Sequence, residues 1–180
     1  MIIPITSQMS LELEKVSACA FVDLHDPPWR AHDFKQVLGQ GGYGWAVINK
    51  RHTEEAIFAE ASTDEHEKHR FDNPNQCMGY IVLRDCLDFI EILKIATHPK
   101  FQHQGVAQQL LEKALSHCHT RLVLEVAENN HRAIALYQKY GFQCVGRRKR
   151  YYSNGKSMDN QNETNAIDAL ILEMSAAPST

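Results

Sequence analysis

Lys94-Ile95-Ala96-Thr97-His98-Pro99-Lys100-Phe101-Gln102-His103-Gln104-Gly105-Val106-Ala107-Gln108-Gln109-Leu110-Leu111 decides how this chain folds: an apolar strand turns through a proline and runs into a helix. From Gly105 onward, Val106, Leu110, Leu111, Ala114, Leu115 and Cys118 recur at helical spacing. A helix is therefore predicted to start near Gln104, its first backbone N–H groups unpaired. Those donors, with the positive end of the helix dipole, suit an anion such as pyrophosphate. Gly105 would let the backbone approach that ligand with no side chain in the way, and Ala107 keeps the first turn small. A plain strand-loop-helix crossover has the same spacing. The loop has neither a Gly-Lys-Ser/Thr ending nor a Gly-x-Gly-x-x-Gly run, which excludes a Walker-type site and a dinucleotide fold.

On the N-terminal side of this stretch, residues 77–84 and 87–97 read as a hairpin turning at Asp85-Cys86, the second strand apolar on both faces and hence central. On its C-terminal side, residues 121–127 form a near-continuous apolar strand. Asn129 or Asn130 then caps a helix carrying Ala133, Leu136, Tyr137 and Tyr140, which Gly141 stops. Two further strands are predicted at 142–152 and 166–174, joined by a polar loop at 153–165. At the start of the chain, residues 1–6 read as an edge strand broken by Pro4. Ser10 is expected to cap a helix over 11–24, and the stiff His25-Asp26-Pro27-Pro28-Trp29 loop to hold an exposed tryptophan before a short helix at 31–38. Gly39-Gln40-Gly41-Gly42 ends that helix, and 43–49 is a strand that 56–59 continues or pairs with. Residues 60–76 read as a long solvated loop, and 175–180 as a frayed tail.

Composition narrows the classes. A chain of 180 residues, 43% hydrophobic and 23% charged, is expected to be one globular domain with a sizeable core. A formal net charge of −3 argues against nucleic acid or an anionic membrane as partner. Five scattered cysteines without a Cys-x-x-Cys are expected to be reduced thiols of a cytoplasmic protein. The N-terminus has no basic region and no long apolar core, so it is not read as a signal peptide, and no run is long enough to span a bilayer. His66-x-x-His69 lacks a third ligand at suitable spacing, so no metal is expected. A monomer is expected.

Two residues downstream carry possible chemistry. Glu125 sits in the middle of an apolar strand, where a carboxylate must be paired with an arginine or lysine, protonated, or used. Tyr137 lies on the apolar face of its helix, where it either packs or serves the same site.

Gln102-x-x-Gly105-x-Ala107 resembles the Q/R-x-x-G-x-G/A signature of the GCN5-related N-acetyltransferases, with Ala107 in place of the second glycine. Leu124-Glu125-Val126, then Asn130, Ala133-Ile134-Ala135-Leu136-Tyr137 and Gly141-Phe142, resemble ribosomal-protein alanine N-acetyltransferases of the RimI type. So do Pro28-Trp29 and the run Arg147-Arg148-Lys149-Arg150-Tyr151-Tyr152. The order β-α-α-β-β-β-α-β-α-β-β is that of the acetyltransferase fold, a mixed α/β architecture with one twisted sheet and helices on both faces.

The resemblance implies acetyl-CoA as cosubstrate. Gln102, His103, Gln104, Gly105, Val106, Ala107 and Gln108 would form its pyrophosphate loop; Ile95, Ala96 and Thr97 would pair with the pantetheine arm, and Asn130 would contact the coenzyme. It implies Glu125 as general base, Tyr137 as general acid, and Trp29, Tyr151 and Tyr152 beside the acceptor. The acceptor implied is the N-terminal amine, on Ala or Ser, of a protein such as a ribosomal one. A small-molecule amine (polyamine, aminoglycoside or amino acid) would use the same catalytic pair with another groove. A non-catalytic acetyl-CoA sensor would dispense with acid and base.

Overall fold

The apolar runs that flank the central loop pair with one another, as their β-branched content favours. A computed structural model describes residues 1–21, 26–49, 76–153 and 166–175. Its elements are β1 (Ile2–Pro4), α1 (Ser10–Ala20), α2 (Ala31–Gly39), β2 (Tyr43–Ile48), β3 (Cys77–Asp85), β4 (Phe89–Thr97), α3 (Val106–His117), β5 (Arg121–Ala127), α4 (His131–Lys139), β6 (Gln143–Ser153) and β7 (Ala166–Met174). Seven strands form one sheet in the order β1-β2-β3-β4-β5-β7-β6, antiparallel throughout except where β4 meets β5. The strand read as central is central. No helix of the described residues is long and apolar enough to cross a membrane.

Helices cover both faces. Leu110 and Leu111 of α3 and Tyr137 of α4 pack on Ile81, Ile92 and Leu124, while Leu13 and Val16 of α1 and Phe34 of α2 pack on Tyr80, Val82 and Ala96. Burying each of the leucines completely contributes about 2 kcal/mol. Gly79 of β3 lets α3 come close: a Cβ there would stand 2.7 Å from Val106 Cγ1 and 2.6 Å from the Ala96 carbonyl.

A bulge in β4 sets up everything that follows. Val82 pairs with Lys94 but Leu83 with Ile92, so Leu93 has no partner opposite it. One extra residue reverses the alternation of the strand. Ile92 therefore packs with α3 and α4, whereas Ala96 packs with α1 and α2. The β4–β5 ladder also stops here, running only from Phe89↔Arg121 to Ile92↔Leu124. Beyond it the two strands part.

Several expectations need correction. Ser10 caps nothing: the turn Ser7–Met9 runs directly into α1, Met9 is the boundary residue, and Ser10 is buried inside the first turn. The helix ends at Ala20, short of residue 24. Leu87 is not the start of β4 but the tip of the turn, left-handed at φ 66° and 97% exposed, its N–H held by Asp85 Oδ1 at 3.1 Å. Trp29 is not an exposed residue. Its backbone N–H donates to Ser17 Oγ at 2.7 Å and its ring stands edge-on to Phe34 at 5.3 Å, which turns it half inward. Residues 22–25, the expected strand at 56–59, His66, His69, the interiors of both polar loops and the last five residues lie outside the described residues.

Candidate active site

The loop ahead of α3 has the backbone its sequence called for, with one difference of register. Gly105 is the residue before the helix and Val106 the first within it, one to two positions later than expected. Gly105 takes φ 76° and His103 takes φ 61°, both left-handed. Backbone of this shape gathers N–H groups into a concavity that suits anions. The first-turn N–H groups of α3 add to it, and the side chain of Gly105 is absent where a ligand would approach.

This concavity is one end of a cleft of about 440 Å³ that runs along the end of β4 past Ile92, between the start of α3 and the face of α4. Ile95, Ala96, Thr97, Gln102, His103, Gly105, Val106, Ala107, Gln108 and Asn130 all line it, and Arg132 adds a guanidinium. Gln104 is the exception among the expected loop residues. Its side-chain amide turns back to donate to the Lys100 carbonyl at 3.0 Å, holding the loop. Asn130 has two duties, since Oδ1 also accepts the Ala133 N–H at 3.2 Å and caps α4.

The cleft fits the pantetheine and pyrophosphate of acetyl-CoA on an observation independent of resemblance. Thr97 Oγ1 is a buried hydroxyl in the cleft wall with no hydrogen-bond partner among the described residues, a position that a ligand amide would satisfy. The β4 edge facing β5, released past Ile92, offers further backbone groups to an extended arm.

A second, smaller chamber of about 80 Å³ adjoins the cleft, the two sharing Phe21, Ile95, Asn130, Ala133 and Tyr137 as walls. Glu125 and Tyr137 both line it, with Tyr152, Asp26 and Lys94. Tyr137 is 4% exposed, and burial, helped by the nearby Tyr152 and Asp26, raises its pKa well above that of a free phenol. It stays protonated, as a proton donor must. Glu125 is ion-paired: Arg148 Nε stands 2.8 Å from Oε1. The structural alternative raised for Glu125 is thus present, at the wall of the same chamber.

Trp29, by contrast, lines neither cavity. It lies behind the chamber, 5.9 Å from Lys94 Nζ. Tyr151 is exposed on β6 and Tyr152 buried, their rings edge to face at 5.0 Å. Tyr151 sits in a bulge of β6 that Tyr152 closes, where Arg148↔Ala169 is followed by Tyr152↔Ile167 and Asp168 accepts the Arg150 N–H at 2.8 Å.

Sequence reading missed Lys94 and Asp26. Lys94 Nζ stands 2.6 Å from Asp26 Oδ2, donates to the Pro27 carbonyl at 2.9 Å and lies 4.2 Å over the Phe21 ring. The signal was present, since a lysine inside Ile-Leu-Lys-Ile-Ala breaks an apolar strand just as Glu125 does. Among the described residues no group of three or more His, Cys, Asp or Glu is arranged to hold a metal.

Known proteins resemble this chain in sequence and in fold. A putative ribosomal protein bS18-alanine N-acetyltransferase of Bacillus subtilis is 35% identical over 98 residues, 52% of this chain and 58% of that protein. The chain thus matches little more than half the length of this relative. The structure of the ribosomal-protein-S18-alanine N-acetyltransferase from Escherichia coli superimposes with a TM-score of 0.70 at 20% identity, covering 100% of this chain and 96% of that one. Arabidopsis thaliana NAA60 in complex with acetyl-CoA does so at 0.66 and 17% identity, over 97% of each chain. Residues 20–142, which hold the bulge, the cradle, most of the chamber wall and both candidate catalytic side chains, match the acetyltransferase (GNAT) family, and the chain belongs to it.

Proposed function

We propose that this protein transfers the acetyl group of acetyl-CoA to the N-terminal α-amine of a protein, with Ala or Ser at that terminus and a ribosomal protein as the class of acceptor. The observation that carries this reading is that Glu125 and Tyr137 line one chamber adjoining the cleft where β4 and β5 part. The curated relative named for alanine N-acetylation of a ribosomal protein supports the choice of acceptor.

An α-amine has a pKa of about 7.7 to 8.0 and a lysine of about 10.4, so a terminal amine is the easier of the two to deprotonate near neutrality. Glu125 takes that proton, directly or through water, once the amine displaces or shares the contact with Arg148. Bound acetyl-CoA supplies the thioester carbonyl that the neutral amine attacks. A backbone N–H of β4 beyond Ile92 donates to the carbonyl oxygen as charge builds on it. Tyr137, kept protonated by burial, gives its proton to the departing sulfur. No cysteine lines the chamber, and direct transfer needs no covalent enzyme intermediate.

The test is an intact-mass competition between a ribosomal N-terminal peptide, the same peptide with its α-amine blocked and a lysine available, and spermidine. Acetylation of the free α-amine is the expected result. Preferential modification of the lysine or of spermidine overturns the N-terminal assignment in favour of another amine.

A further inference from the structure

Lys94 is the one charged side chain among the described residues that is buried, its side chain 3% exposed. Desolvation lowers its pKa, with Asp26 opposing that shift. Apolar residues replace buried ion pairs without loss of stability in many proteins, so the pair is weak evidence of a stabilising role. Its location offers another role. The Leu93 bulge places Lys94 on the wall of the chamber that Glu125 and Tyr137 also line, next to Ile95 where chamber and cleft meet. Among the described residues Asp26 and the Pro27 carbonyl are the oxygens that take two of the three ammonium donors, and the third has only the Phe21 ring 4.2 Å away, so an oxygen brought by a ligand can take it. The chamber is therefore polarised, with a carboxylate on β5 and an ammonium on β4.

We propose that Lys94 reads the acceptor: it donates a hydrogen bond to the carbonyl or carboxylate oxygen next to the reacting amine, so that the chamber selects α-amino acyl groups over alkyl polyamines. This rests on the acetyl-transfer reading above and narrows it to a substrate class. An α-amine carries an oxygen two bonds beyond its α-carbon, which can meet Lys94 while the nitrogen meets Glu125. Spermidine has no such oxygen. It would leave the Lys94 ammonium facing an apolar methylene chain, and an unmet buried donor is costly.

The experiment measures kcat/KM for an N-terminal peptide, its free N-terminal amino acid, that amino acid's amide and spermidine, with the wild type and with Lys94→Met, Lys94→Arg and Asp26→Asn. The ratio of amide to spermidine is expected to fall about tenfold in Lys94→Met, the worth of one hydrogen bond from a charged donor. Lys94→Arg, still cationic, keeps most of the ratio. Asp26→Asn loosens the same loop but retains the ammonium, so it lowers all acceptors alike. An unchanged ratio in a Lys94→Met protein with wild-type circular dichroism overturns the inference, as does an equal shift in Asp26→Asn, which would make Lys94 a strut for the loop. Wild-type protein that acetylates none of the four overturns the acetyl-transfer reading and this inference with it. The peptide and free amino acid arms separate a polypeptide terminus from a small amino acid as the source of the acyl group.

Discussion

Arg148 Nε stands 2.8 Å from Glu125 Oε1, reaching from edge strand β6 across β7 to a carboxylate on β5 whose side chain is 19% exposed. If Glu125 is the base, Arg148 occupies it between turnovers and the carboxylate itself is what turnover requires. Glu125→Gln is expected to lower kcat about a hundredfold, the usual worth of a general base. Arg148→Gln should change kcat less than tenfold. Steady-state rates at saturating acetyl-CoA decide it, and equal losses in the two variants would point to the ion pair itself.

Tyr137→Phe preserves the packing of a buried ring and removes only the phenol. A loss of about a hundredfold in kcat with little change in cofactor affinity is expected. Because burial raises the Tyr137 pKa, its ionisation should produce no alkaline fall in rate between pH 6 and 9. A wild-type rate in the phenylalanine variant across that range would remove Tyr137 from the mechanism.

Gly105 combines φ 76° with a place at the mouth of the cradle. Gly105→Leu imposes left-handed strain of about 1 to 3 kcal/mol and sets a side chain at the approach to the first-turn N–H groups. Titration calorimetry should show acetyl-CoA binding weakened at least tenfold, or about 1.4 kcal/mol. Unchanged affinity in the folded variant would dissociate the loop from phosphate binding.

All six tyrosines have raised pKa values: burial is the leading cause for Tyr43, Tyr80, Tyr137, Tyr151 and Tyr152, and the hydrogen bond to Glu112 for Tyr140. Above about pH 10 the phenols of the unfolded chain ionise while the folded ones hold their protons, so stability is full below that pH and is lost as pH rises. Lys94, with its pKa lowered, opposes this by a contribution that rises with pH until the unfolded lysine deprotonates near 10.4. Six raised phenols, three of them buried, against one lysine set the net direction. The melting temperature should fall above pH 10, and absorbance at about 295 nm should show the buried phenols of Tyr80, Tyr137 and Tyr152 ionising only when the fold is lost.

Much of the site was legible because its determinants are local. Helical spacing after Gly105, the asparagine ahead of Ala133 and the glycine at Gly141, which adopts φ 89°, each act within a turn or two of chain. A carboxylate in an apolar strand drew attention to Glu125 for the same reason. The amphipathic pattern of α4 carried Tyr137, although packing and catalysis ask for the same face and the pattern does not separate them.

What the sequence by itself determined is the succession of strands and helices, the glycine turn at the start of α3 and which side chains are candidates for moving protons. Only the tertiary structure decided that β4 and β5 part after Ile92 and Leu124, that Arg148 is the basic residue of the 147–150 run paired with Glu125, and that Trp29 turns inward behind the chamber. It also decided that Lys94 is a wall of that chamber. The reason is register. A bulge at Leu93 exists only in the pairing of two strands, and one unpaired residue moves every later side chain of β4 to the opposite face.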